Sequence, residues 1–136
     1  MRIELIDFGG KMPERAHHND AGADVFAYTN GPIVIKPYAI AAIPLGIGLA
    51  LPDGLAAFVL PRSGLSSRGL TAETVPIDSG YTGQIHAIVC NMTDNEFIVT
   101  HGMKIAQLVI VPVVLANFEF GSQKTRGSNG FGSTGV

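Results

Sequence analysis

Tryptophan is absent from this sequence of 136 residues and cysteine occurs once, at Cys90, so no intramolecular disulfide can staple the chain. A lone cysteine suits a reduced, intracellular protein. Charge is scarce as well: charged residues make up 15% of the chain, the net charge is −2, and no run of lysine or arginine is present. A surface that grips duplex DNA through counterion release is therefore excluded, and no direct nucleic-acid binding is expected. Long hydrophobic runs are missing too. The two most apolar segments, 39–51 and 105–118, are cut by Pro44 and Pro112 and fall short of a bilayer span. Arg2 and Glu4 follow Met1 where a secretory signal would place apolar residues, so a cytoplasmic protein without a membrane segment is expected.

What the chain has in abundance is glycine, with 17 residues, and proline, with 8, and their punctuation leaves no long window with helical period. Candidate strands lie at 2–6, 23–27, 32–36, 42–51, 56–60, 84–91, 96–99, 104–111 and 113–120. Turns separate them at Thr29-Asn30-Gly31-Pro32, Leu51-Pro52-Asp53-Gly54 and Thr93-Asp94-Asn95. One helical turn is expected at 64–68. Many short strands with regular turns predict an all-β barrel or jelly roll, and the length fits a single domain. The domain is expected to span 1–121, with 122–136 as a mobile C-terminal arm. Hydrophobic residues reach 46% beside so little charge that burial against other subunits is expected.

The arm contains Arg126-Gly127-Ser128-Asn129-Gly130-Phe131-Gly132-Ser133-Thr134-Gly135. Glycines let backbone N–H groups turn toward an anion, hydroxyls add donors, Arg126 can grip a phosphate bidentately, and Phe131 offers a flat face. These features suit a nucleotide with a phosphate chain, although a Gly/Ser tail also reads as a linker. No Lys-Ser/Thr and helix follow the glycines, so the pocket must be built elsewhere. Four further clusters place glycine beside polar residues within the apolar framework: 21–24, 61–64, 77–83 and 102–107.

Read in order, Ala21-Gly22-Ala23-Asp24, Pro61-Arg62-Ser63-Gly64-Leu65, Ile77-Asp78-Ser79-Gly80-Tyr81-Thr82-Gly83, Gly102-Met103-Lys104-Ile105-Ala106-Gln107 and the tail resemble the five motifs of the trimeric dUTP pyrophosphatase (dUTPase) family. Those motifs read approximately AGxDL, PRSGL, GxIDxxYxGE, GxRIAQL and RGxxGFGSTG. The resemblance implies a jelly-roll homotrimer with shared active sites that hydrolyses dUTP to dUMP and pyrophosphate with Mg²⁺. Asp78 would be the general base that activates a water for attack on the α-phosphorus. Tyr81 would pack on the deoxyribose and exclude ribonucleotides, and Asp24 would hold Mg²⁺ through water. Arg62, Ser63 and Gly64 match phosphate-gripping positions, Gln107 a donor to the α-phosphate, and Ile77 a substrate-lining residue. In the tail, Arg126 would clamp the γ-phosphate, Phe131 with Gly132 would cover uracil, and Ser133 and Thr134 would flank the phosphates.

Plainer readings stand beside these. Asp78 could cap its own turn, Asp24 could close the Ala21-Gly22 turn, Tyr81 could fill core, Gln107 could pair at a strand edge, and Arg62 and Arg126 could be solvated. His17 and His18 point opposite ways in an extended segment, while His86 and Cys90 share a strand face with Ile88 and are read as packing. Departures concentrate in the base-reading hairpin: the family commonly has Asn and Gly where this chain has Ala72 and Val75, and Pro76 removes a backbone donor. Gln84 replaces a frequent Glu. These changes leave open the strictness of uracil selection and an alternative role as a nucleotide-sensing protein with weak or lost hydrolysis. A dCTP deaminase is disfavoured because no Asp or Glu lies between Ser79 and Thr93.

Overall fold

The computed structural model describes residues 1–122 and is nearly all β. The strands are β1 (Glu4–Asp7), β2 (Ala23–Phe26), β3 (Ile33–Ile35), β4 (Ile40–Pro44), β5 (Ile47–Ala50) and β6 (Leu55–Leu60), followed by a one-turn helix α1 (Ser63–Ser66). Then come β7 (Leu70–Ala72), β8 (Pro76–Ile77), β9 (His86–Asn91), β10 (Phe97–Val99) and β11 (Lys104–Pro112). The pairing is antiparallel throughout, in sheets ordered β2-β11-β6-β8, β4-β9-β7, β1-β5 and β10-β3. Most ladders join strands distant in sequence, as the expected jelly roll requires.

Alternation explains the inner faces. Along β6 and β9 the buried positions Ala57, Val59, Ala87 and Val89 face one core, joined by Val25, Ile35, Ile43, Leu49 and Val99 from other strands. Full burial of each of the larger aliphatic side chains contributes about 1.5–3 kcal/mol, so the sandwich needs no metal or disulfide. Asn91 is fully buried within this apolar set and is satisfied: its Nδ2 donates to the carbonyls of Ile35 (2.9 Å) and Asn95 (2.8 Å), and its Oδ1 accepts from Thr93 N (3.1 Å) and Oγ1 (2.7 Å). It fastens the predicted 93–95 turn to the end of β3.

Three expectations are corrected. The single strand at 42–51 is two strands, because the chain turns at Gly46, whose φ is +69° and whose carbonyl accepts from Phe8 N and Gly10 N. Two short strands, β7 and β8, were hidden by Thr74-Val75-Pro76. Proline is tolerated in β8 because that strand lies at a sheet edge, where a missing donor breaks no ladder. Finally, 113–120 forms no strand. After Val113 N donates to Gly54 O, the segment finds no backbone partner among the described residues, and Val114, Leu115, Phe118 and Phe120 lie exposed, Phe118 at 95%. A strand needs a neighbour to pair with, and apolar sequence alone does not supply one. The expected helical turn occurs one residue earlier, at 63–66.

Candidate functional site

Three of the sequence clusters meet on one face of the four-stranded sheet. Gln107 in β11 lies opposite both Asp24 in β2 and Leu60 in β6, two residues before Arg62. The register slips by one residue between Lys104 and Ala106, so Lys104 lies opposite Phe26. Lys104 and Gln107, three apart, would point to opposite faces of a regular strand; the bulge brings both to the side of Asp24.

The side chains interlock there. The Asp24 carboxylate receives Arg62 Nε at Oδ1 (3.0 Å) and Lys104 Nζ at Oδ2 (3.3 Å), and Arg62 also donates to the Lys104 carbonyl. Gln107 Nε2 donates to Pro61 O at 2.9 Å. Gly22 belongs to the same assembly, because any β-carbon there would collide with the Gln107 carboxamide. Asp24 thus sits within a strand, and closes no turn with Gly22. Arg62 is half-buried by its partners, and Gln107 is more than an edge residue. Lys104, within the fourth cluster but not singled out there as a site residue, joins the cluster as a second cation; its place in a GxRIAQ-like run was the available signal.

Arg62 precedes α1, so Ser63 and Gly64 open the helical turn with exposed positions. Leu65 N and Ser66 N bond back to Arg62 O, whereas the amides of Ser63 and Gly64 have no backbone partner among the described residues. They stand beside the cation pair as donors suited to an anion.

The third cluster lies apart from these groups. It lines a cavity of about 330 Å³ between β6, β8 and β9, walled by Val59, Val75, Pro76, Ile77, Ile85 and Ile88, with Glu73, Asp78, Tyr81, Gln84 and His86 as its polar members. Asp78 does not cap its turn through its side chain: its carbonyl accepts from Tyr81 N (3.1 Å), and neighbouring Ser79 donates to Asp53 (3.0 Å). Among the described residues no donor engages the Asp78 carboxylate, which is left exposed at the cavity. Tyr81 is about half exposed and fills no core; its hydroxyl donates to Gln84 O at 2.9 Å, which pins the ring over Gly83. Gln84 in turn accepts from Gly46 N (2.9 Å), so the hairpin is tied to the bend between β4 and β5. A glutamate could accept the same bond, which accounts for the substitution.

His86 was expected to pack, yet it is exposed and contributes to the cavity wall, while Cys90 is buried as expected. Glu73 was not singled out by the sequence, since nothing marks an exposed glutamate in a hairpin until the strand register brings it beside Ile88. The cavity wall includes none of Asp24, Arg62, Lys104 or Gln107. The described residues of one chain therefore present two separate clusters. Arg126, Phe131, Gly132, Ser133 and Thr134 lie outside the described residues.

The fit of a magnesium ion can be judged from the donor set. Both Asp24 oxygens face cations, and among the described residues no cluster of three or more His, Cys, Asp or Glu side chains is present. This suits an ion carried by substrate phosphates and reached through water, as Mg²⁺ prefers, rather than one caged by protein.

Known proteins share this sequence and this fold. A sequence model of the dUTPase family matches residues 9–135. The chain is similar to the deoxyuridine 5'-triphosphate nucleotidohydrolase of Rickettsia conorii, with 43% identity over 139 residues, covering 98% of this chain and 94% of the relative. Among solved structures it resembles a dUTPase from phage phi11 of S. aureus, described with a structural Mg(II) ion, at 25% identity and TM-score 0.84, covering 92% of this chain and 99% of that one. It also resembles the Staphylococcus bacteriophage 80alpha dUTPase with dUpNHpp, at 30% identity and TM-score 0.82, covering 99% of each chain.

Proposed function

The chain belongs to the dUTPase family and hydrolyses dUTP to dUMP, and from that premise we propose how its residues divide the work. Asp78 takes the proton of an attacking water. The observation that carries this assignment is an exposed carboxylate, unengaged among the described residues, at the rim of a nucleoside-sized cavity. Water adds its oxygen to the α-phosphorus, the bond to the bridging oxygen of the β-phosphate breaks, and pyrophosphate leaves. Ile77 and Tyr81 line the sugar, the tyrosine ring standing where a 2′-hydroxyl would need space.

Arg62, Lys104, Gln107 and the Ser63 and Gly64 amides receive the triphosphate and hold it in line with the water. Asp24 keeps the two cations in place. A Mg²⁺ ion riding on the triphosphate would contact Asp24 through its water shell and would neutralise phosphate charge.

Because the two clusters lie apart in one chain, we assign a complete site to the meeting of copies, in a homotrimer. The exposed apolar residues Ile40, Ile98 and Met92, with Val114, Leu115, Phe118 and Phe120, offer surface for such contacts. Residues 122–136 form the arm in this reading: Arg126 binds the γ-phosphate, Phe131 and Gly132 cover the base, and Ser133 and Thr134 flank the phosphates. The reaction is placed in the cytoplasm, in keeping with a single unpaired thiol.

The test is a product assay. Purified protein with dUTP and Mg²⁺ releases pyrophosphate, and Asp78→Asn lowers kcat at least about 10³-fold while dUTP binding persists. Full turnover by the variant removes Asp78 from its role, and sedimentation as a monomer with full activity removes the shared site.

A further inference from the structure

The base end of the Asp78 cavity has lost donors and gained an acceptor. Ala72, next to Glu73 in the chain, has no polar side-chain atom, Pro76 in the wall has no backbone N–H, and the Glu73 N–H is already spent on Ile88 O (2.9 Å). Against this depletion stands the Glu73 carboxylate. The ladder between β7 and β9 pairs Thr71 with Cys90, and Glu73 continues it opposite Ile88, so its side chain shares a face with His86, Ile88 and Cys90. Glu73 and His86 both contribute to the cavity wall, and among the described residues the Glu73 carboxylate meets one donor, the Cys90 thiol, at a long 3.8 Å.

The chemistry of a pyrimidine edge decides what such a wall accepts. Uracil offers an acceptor-only carboxylate its N3–H alone, with the position-4 carbonyl beside it opposing the approach. Cytosine presents an amino group there, and Glu or Asp accepting from that amino group is the complementary pairing. Because Glu73 is exposed, a mismatched base edge there alters selectivity by about tenfold rather than by the larger factor of a buried site.

We propose that Glu73 extends the substrate range to a cytosine deoxynucleotide, so that the protein also hydrolyses dCTP to dCMP and pyrophosphate. The inference rests on the Asp78 reading above and uses the same step: water oxygen joins the α-phosphorus, the bond to the bridging oxygen breaks, pyrophosphate departs, and the water proton passes to Asp78. The amino group is untouched, so no ammonia is formed.

The experiment measures kcat/KM for dUTP and dCTP on the full chain with Mg²⁺, assaying pyrophosphate, dCMP and ammonia, for the wild type, Glu73→Ala and Glu73→Gln. Turnover of dUTP serves as the control for the Asp78 reading; its absence overturns that reading, and the extension with it. With dUTP turned over, the proposal expects dCTP hydrolysis within about a hundredfold of dUTP, dCMP without ammonia, and a fall of tenfold or more in the dCTP-to-dUTP ratio in Glu73→Ala. Glu73→Gln, which keeps an acceptor oxygen, lies between. Weaker dCTP turnover, ammonia release, or a ratio that falls less than tenfold overturns it. Circular dichroism of each variant separates these outcomes from misfolding.

Discussion

Gln107 occupies the space that a side chain on Gly22 would need: a β-carbon there would overlap the carboxamide oxygen and lie 2.9 Å from Cδ. Two clusters 85 residues apart in the chain, by the difference of these numbers, are therefore one device. Gly22→Ala should swing Gln107 away from Pro61 O and lower kcat/KM for dUTP about tenfold, equivalent to about 1.4 kcal/mol. Adding Gly22→Ala to Gln107→Ala should cost little more, since the collision is already gone. Additive losses in that double-mutant cycle would show that Gly22 acts independently of Gln107.

A second glycine holds a similar place beside Tyr81. A β-carbon on Gly83 would come within 2.6 Å of the phenol oxygen, and Gly83 has no positive φ, so the demand is for space alone. Gly83→Ala should tilt the ring and weaken discrimination against ribonucleotides. Comparing kcat/KM for UTP and dUTP checks this, and at least a tenfold loss of selectivity is expected.

Asp24 joins Arg62 and Lys104 with a side chain only 16% exposed. In Asp24→Asn an amide replaces one of the two paired oxygens and leaves one cation without its counter-charge. Since Arg62 and Lys104 are themselves partly solvated, a stability loss of about 1 kcal/mol is expected, with a rise in KM for dUTP. Thermal unfolding and steady-state kinetics measure both. An unchanged melting temperature with a raised magnesium requirement would mark Asp24 as belonging to the ion's water shell alone.

Tyr38 links the bend between β3 and β4 to the 93–95 turn by donating to Asp94 Oδ1 at 2.6 Å. That hydrogen bond, and secondarily desolvation, raises its pKa above the ordinary tyrosine value. The folded pKa exceeds the unfolded one, so the contribution is fully present below the unfolded value and disappears as pH rises through the folded one. The melting-temperature difference between wild type and Tyr38→Phe should hold steady through neutral pH and be lost in alkali, as pH rises past the ordinary tyrosine value of about 10 and through the raised folded one. A difference that persists in stronger alkali would locate the effect elsewhere.

Ending the chain after Lys124 should leave the core folded, because the ladders and buried residues found among the described residues lie within 1–113. The truncated protein should bind dUTP weakly and hydrolyse it at least tenfold more slowly than the full chain. Calorimetry and the pyrophosphate assay distinguish an arm that serves the site from one that serves the fold, since unfolding would signal the latter.

Much of this molecule was legible before folding. Alternating apolar residues between glycine and proline turns indicated most strands, and the five ordered motifs indicated the family and pointed to Asp78, Arg62 and Gln107. Illegible were the features that depend on neighbours: whether 113–120 would find a strand to pair with, whether Pro76 could sit in a sheet, and whether His86 would face core or cavity. Local pattern sets what a segment can become; a partner's backbone decides what it does become. The sequence by itself determined which side chains were available for the chemistry, because identity and order are covalent. Tertiary structure alone decided that Lys104 and Gln107 share a face with Asp24, because one extra residue in a β-bulge reverses the alternation that a regular strand would have imposed.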